Sequence, residues 1–243
     1  MKASYTALFL LVSAPFASSA VLTSGHVDVL GFGWDDGDQT IVPHAHVDVG
    51  SVVDGVEVTV KTKFDPSEIV FFVPTTAQRS RPSGSQWNTI GGTSGGPVWI
   101  LPQNQDPSMP WPGLTTEDGE LREQPWTGVT PFTVRLTNVV KPPNADFAMF
   151  TVGPFGDPTY YFATSDGIGS ADQVSVPLNT HAHYNWSFTQ PGNYEMTFDF
   201  VANHQTLGTL TETATYSFQV IPEPSAALLA VAGSLLVLLR RNR

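Results

Sequence analysis

Six histidines punctuate this 243-residue sequence, and four fall in two His-x-His pairs, His44-Ala45-His46 and His181-Ala182-His183. On a β-strand, residues i and i+2 project from one face about 6.5–7 Å apart, so both imidazoles of a pair can reach one ion. Imidazole is a ligand for Zn, Cu, Ni or Fe. A fifth histidine stands in a short echo: His26-Val27-Asp28-Val29 repeats as His46-Val47-Asp48-Val49. Asp28 or Asp48 can complete a ligand set or orient a ring from behind. The expected metal ligands are therefore His44, His46, His181 and His183, with His26 as a fifth, and Zn or Cu as the ion. A single exposed His-x-His is ordinarily surface; two pairs and a related fifth histidine are what lift the pattern above that. His204, after the run from Tyr194 to Val201, is expected in a loop.

Positioning such pairs requires strands, and period-two alternation runs through the chain. Val56, Val58 and Val60 alternate with Glu57, Thr59 and Lys61; Phe132, Val134 and Leu136 alternate with Thr133, Arg135 and Thr137. Tyr194, Met196, Phe198 and Phe200 form another set, Tyr216, Phe218 and Val220 a last one, and Ile69–Val73 reads as a buried strand. Around the second pair, Ala182, Tyr184, Trp186 and Phe188 are apolar, which leaves His181 and His183 on the polar side. Around the first, Pro43, Ala45, Val47 and Val49 are apolar and oppose His44, His46 and Asp48. Pro and Gly fill the gaps, at Pro66, Pro74, Gly153-Pro154 and Pro177 among others. The expected fold is all-β, a single immunoglobulin-like or jelly-roll-type β-sandwich, with one C-terminal hydrophobic helix. Pro191-Gly192-Asn193-Tyr194 resembles the turn of such sandwiches at which a tyrosine stabilises the corner. The stretch from Gln78 to Thr127 is rich in Gly, Pro and Trp and reads as a long ordered excursion over one end, with a strand at Val98–Leu101.

All 22 acidic residues lie between Asp28 and Glu223, against seven Lys/Arg in the same span. Such a surface repels phosphate backbones, which excludes nucleic acid as an expected partner. Cysteine is absent, so stability must come from a core, an ion or both. Lys2, the apolar run Ala7–Val12 and Ser18-Ser19-Ala20 read as a signal peptide over 1–20. At the other end stand Pro222-Glu223-Pro224, an apolar stretch over 225–239, and Arg240-Arg241-Asn242-Arg243. The prolines stop a preceding strand, and the terminal arginines favour a membrane span with its basic end cytoplasmic. In this order the three parts resemble the PEP-CTERM sorting signal. That resemblance implies an exosortase-type processing enzyme as partner and an address at the cell envelope or exopolysaccharide, with membrane contact through the C-terminal helix.

The body between, 21–221, is similar to the choice-of-anchor M domain, itself similar to an actinobacterial surface-anchored repeat. Gly25-His26-Val27-Asp28-Val29, Val98-Trp99-Ile100-Leu101-Pro102-Gln103-Asn104-Gln105, His181–Phe188 and Pro191–Tyr194 carry that likeness. It implies a surface-held body without a known catalytic residue, associated in some relatives with transporters resembling metal-uptake systems. Gly92-Thr93-Ser94-Gly95-Gly96-Pro97 resembles a serine-protease nucleophile loop but lacks the matching histidine motif. Asp35-Asp36-Gly37-Asp38 lacks the closing glutamate of a calcium loop and reads as an acidic turn. The functional expectation is an exported, surface-anchored, non-enzymatic binding protein for a transition metal. The alternative is a structural or adhesive exopolysaccharide-matrix protein whose tryptophans contact polysaccharide.

Overall fold

The computed structural model describes residues 19–222, and within them apolar–polar alternation decides the architecture. Residues 1–18 of the expected signal peptide and residues 223–243 of the expected sorting signal, with the helix expected over 225–239, lie outside the described residues. Among the described residues, no helix is long and apolar enough to cross a membrane.

The strands are β1 (Ala20–Asp35), β2 (Thr40–Val47), β3 (Val52–Val53), β4 (Val56–Glu57), β5 (Thr62–Phe64), β6 (Ile69–Val73), β7 (Gln78–Ser80), β8 (Pro97–Leu101) and β9 (Pro110–Thr115). After the short helix α1 (Gly119–Arg122) come β10 (Phe132–Val140), β11 (Phe147–Val152), β12 (Pro158–Ala163), β13 (Gln173–Val176) and β14 (His181–His183). The chain ends on β15 (Asn185–Phe188), β16 (Gly192–His204) and β17 (Gly208–Val220). The larger sheet runs β13-β10-β16-β17-β6-β1-β2-β5, with β9 and β14 added beside β1; the smaller runs β12-β11-β15-β8-β7.

An aromatic core fills the space between the sheets. Trp186 of the smaller sheet stacks on Phe218 of the larger at 5.2 Å, and Phe162 meets Phe198 at 5.4 Å. Tyr194, Met196, Phe198 and Phe200 are all fully buried, while Glu195 between them is exposed and Thr197 and Asp199 half-buried. Burial of this kind, about 1.5–3 kcal/mol for each large side chain, is the main stabilising term.

Two features of this frame bear on the histidines. β1 serves two parts of the larger sheet: Ala20–Leu22 pair with β6, whereas the residues from Gly25 onward pair with β9 and β2. The switch falls at Gly25, with φ of +99° and no room for a side chain, since a Cβ there would lie 2.4 Å from Ser51 Cα. β14 and β15 are separated only by Tyr184, yet belong to different sheets. The chain crosses between sheets immediately after His183.

Three local expectations change. The Gln78–Thr127 excursion is woven into both sheets, supplying β7 and β8 to the smaller and β9 to the larger. Only β8 carries a strand pattern in its sequence; the prolines and glycine of β9 hide it. The Val56–Val60 alternation yields a strand only at Val56–Glu57, because β3 and β4 form a small hairpin about Asp54-Gly55, both with positive φ. Val56 and Val60 are exposed. His204 is not in a loop: it ends β16, is buried, and stacks on Trp34 with planes 8° apart.

The tyrosine corner is present. The buried Tyr194 hydroxyl donates to the Gln190 carbonyl at 2.8 Å, tying the turn to the strand it begins. Tyr194→Phe is expected to lower unfolding stability by about 1–2 kcal/mol without changing the fold, as read by urea denaturation with circular dichroism.

Candidate metal centre

The echo between residues 26–29 and 46–49 has a structural cause. β1 and β2 are antiparallel, with Val27 opposite Val47 and Asp28 opposite His46. Antiparallel pairing of two His-Val-Asp segments sets the histidine of one against the aspartate of the other. His26 Nδ1 thus lies 2.5 Å from Asp48 Oδ2, and Lys61 Nζ holds the other Asp48 oxygen at 2.8 Å. Burial works against the Asp48 charge, yet the contacts with Lys61 and His26 outweigh it and hold the carboxyl below its ordinary range.

On its other side β1 pairs with β9, and β9 pairs with β14. Following partners across the sheet gives one row, His183–Gly113–Asp28–His46–Lys63. His183 and Asp28 are two strand spacings apart, roughly 10 Å between backbones. They meet because the residue between them has no side chain. A Cβ on Gly113 would lie 2.4 Å from Asp28 Oδ1 and 2.9 Å from His183 Cε1.

Over Gly113 the ligand atoms converge. His26 Nε2 is 2.9 Å from His181 Nε2 and 3.1 Å from His183 Nε2, and the last two are 3.1 Å apart. Asp28 Oδ1 is 3.3 Å from His181 Nε2 and 3.8 Å from His26 Nε2. One atom from each of His26, Asp28, His181 and His183 lies within 4.8 Å of all the others, so the group could hold a metal ion.

Protonation makes the case stronger than proximity does. His26 Nδ1 faces a carboxylate, and His183 Nδ1 faces the Pro112 carbonyl at 3.2 Å. Both partners only accept, so each ring carries its proton on Nδ1 and turns a bare Nε2 lone pair inward. Asp28 is a further acceptor aimed at the same point. Its side chain is 5 % exposed and Oδ1 has no hydrogen-bond partner. Of these atoms His181 Nε2, 2.9 Å from His26 Nε2 and 3.3 Å from Asp28 Oδ1, is the one that can carry a hydrogen, so acceptors outnumber donors and a cation among them would relieve the imbalance.

The surroundings set each ring differently. Burial pushes the His183 imidazole down to about 4, and Trp111 stacks on it with ring centres 3.6 Å apart. His183 is therefore neutral and ready to ligate at neutral pH. The adjacent Asp28 carboxylate holds His181 above its ordinary value. His181 is also the most open of the four, and its Nδ1 lies 3.6 Å from Glu117 Oε2.

Of the five histidines expected as ligands, the structure brings together His26, His181 and His183. His44 and His46 stand outside the group, because β2 lies across β1 from β9 and β14. His46 adjoins the centre through its cross-strand partner Asp28, and burial lowers its basicity. His44 turns over Gly31 and Gly33, bonds the Val42 carbonyl at 3.2 Å, and is pushed down to about 4 by burial. Gly113, Trp111 and Pro112 were not legible as parts of a site, since nothing local distinguishes them from loop residues. Asp35 Oδ1 caps the Gly37 and Asp38 amides at 2.7 and 3.1 Å, closing an acidic turn.

No family model, curated protein or solved structure matches this chain. Fold and centre alone define its class: an all-β protein with a three-histidine, one-carboxylate group able to hold a metal ion. Gly113→Ala is expected to weaken Zn binding by about a hundredfold, by forcing Asp28 and His183 apart, while the metal-free fold survives. Zinc titration by calorimetry, beside a circular dichroism spectrum, measures both halves of that outcome.

Proposed function

We propose that this protein is a non-enzymatic metal-binding protein of the cell exterior, which takes a zinc ion between His26, Asp28, His181 and His183. The observation that carries the reading is the convergence of the His26 and His183 Nε2 lone pairs, His181 Nε2 and a buried Asp28 carboxylate oxygen on one point. Zinc is preferred to copper on geometry. Bonds of about 2.0–2.1 Å give ligand separations of about 3.3–3.4 Å in a tetrahedron. In a square-planar Cu(II) site, any three ligands include one pair about 4 Å apart. The three nitrogens are 2.9, 3.1 and 3.1 Å apart, which suits a tetrahedron drawn slightly tight and not a square. Four protein ligands are enough to hold an ion without a bound water, in keeping with a binding rather than a catalytic role.

The exterior address is supported by the sequence: the apolar N-terminal run, and the Pro-Glu-Pro, apolar and arginine series at the end. A matrix protein binding polysaccharide through exposed tryptophans draws less support. Trp99 is buried, Trp126 packs against Phe132, Trp87 against Phe150, and Trp111 lies flat on His183.

Metal analysis of the purified protein tests the centre. About one zinc per chain is expected, lost in a His181→Ala/His183→Ala variant and kept in a His44→Ala/His46→Ala variant. Equal loss in both variants, or no zinc at micromolar concentration in the unaltered protein, would refute this ligand set. For the address, deleting residues 222–243 is expected to move the protein from the envelope fraction to the medium. Unchanged fractionation, followed by immunoblot, would count against the sorting signal.

A further inference from the structure

The four ligands are not equally enclosed. A cleft of about 260 Å³ opens beside the centre, and His26, Asp28 and His181 line it whereas His183 does not. His183 lies behind, beneath Trp111 and against the Pro112 carbonyl. An ion held by all four therefore presents to the cleft the triangular face opposite His183. Zinc sites can expand from four to five ligands, and a fifth arriving through this face would stand opposite His183.

The cleft is fitted to one kind of newcomer. Lys61 and Arg122 both line it, in a chain whose span from Asp28 to Glu223 holds only seven Lys/Arg against 22 acidic residues. Lys61 is engaged with Asp48; Arg122, the exposed last residue of α1, makes no ion pair among the described residues. Thr115, also in the wall, is buried, and its Oγ1 accepts from the Glu117 amide at 3.2 Å, leaving its own O–H to donate. Asp28, Asp48 and Glu117 supply three negative charges to the same cleft and Lys61 and Arg122 two positive ones. A divalent ion turns this small deficit into a single positive excess. A monoanion with an oxygen donor neutralises it, whereas a phosphate dianion would overshoot it beside Glu117.

We infer that the metal-loaded centre takes a small carboxylate as an additional, exchangeable ligand, with one oxygen on the ion opposite His183 and the other reached by Arg122 and the Thr115 hydroxyl. This rests on the metal reading above, and it gives that reading a ligand class: a metal–carboxylate pair instead of a bare ion. In the absence of the metal the cleft carries a negative excess and does not attract the anion.

Co(II) in place of zinc makes the inference measurable, because its visible absorption weakens when a four-coordinate site becomes five-coordinate. The probe is acetate, titrated into the Co(II)-loaded protein. Absorption is expected to fall to a saturating limit. Arg122→Ala should load Co(II) equally and bind acetate about tenfold more weakly, through loss of a charge-assisted contact. A spectrum that acetate does not move, or an Arg122→Ala variant that binds acetate as the parent does, overturns the carboxylate inference and leaves the metal centre intact. Tighter binding of inorganic phosphate than of acetate overturns the choice of carboxylate. Failure to load Co(II) in the first place removes the metal reading, and the inference with it.

Discussion

A missing side chain governs the centre. The strands that carry its ligands, β1 and β14, are not neighbours, and β9 runs between them. In an ordinary sheet the middle strand would raise a side chain into the space where the ligands meet. Here the middle residue is Gly113, and a Cβ there would overlap both Asp28 and His183. Gly25 acts one step earlier, since its positive φ swings β1 from one part of the sheet to the other just before His26. Two glycines thus do what no choice of ligand residue could do alone: they bring backbone positions far apart in sequence close enough for imidazoles to share a point.

Orientation comes from groups that touch no ion. Asp48 and the Pro112 carbonyl each fix a ring's proton on Nδ1, and Lys61 steadies Asp48 in turn. Such contacts raise the basicity of the ligating nitrogen and remove its rotational freedom before any ion arrives. The cost is borne by the metal-free protein, which must hold the His26 and His183 lone pairs and the Asp28 carboxylate together with His181 as their donor. β14 is only three residues long and is followed at once by a crossing to the other sheet. An ion bridging it to β1 would fasten a three-residue strand to a sixteen-residue one, and would stabilise the fold by an amount that grows with the logarithm of its affinity.

How much of this was written in the sequence depends on the range over which each feature acts. β10, β16 and β17 were legible because each has one wet face and one buried face, which imposes strict alternation. The polar orientation of His181 and His183 was legible for the same reason. Pairing partners were not, because hydrogen-bonded register between distant segments leaves no local trace. Two His-x-His pairs therefore suggested one shared ion, while the fold sets the first pair across β1 and replaces it with His26 and Asp28. The repeated His-Val-Asp segment was the one long-range signal present. It marks two antiparallel partners with crossed His–Asp contacts, and its four residues had not suggested that they pair. β9 stayed hidden because Pro110, Pro112 and Gly113 are residues a strand usually rejects. They are tolerated here because β14 pairs only from Gly113 onward, which frees the Pro112 carbonyl for His183.

Acidity and the centre bear on different aspects of cation binding. With 22 carboxylate residues on a chain poor in basic groups, the protein attracts divalent cations over its whole surface, and calcium and magnesium among them. Those ions require six or more oxygen ligands, which scattered exposed carboxylates can supply only loosely. Three imidazole nitrogens and one carboxylate oxygen meet the opposite demand: few ligands, nitrogen donors and a compact shell. If the group holds an ion, its donor atoms would favour a transition metal over the more abundant hard cations, while the diffuse negative field raises the local concentration of every cation alike. The field is present whether or not the centre forms. Only the convergence over Gly113 distinguishes one ion from another.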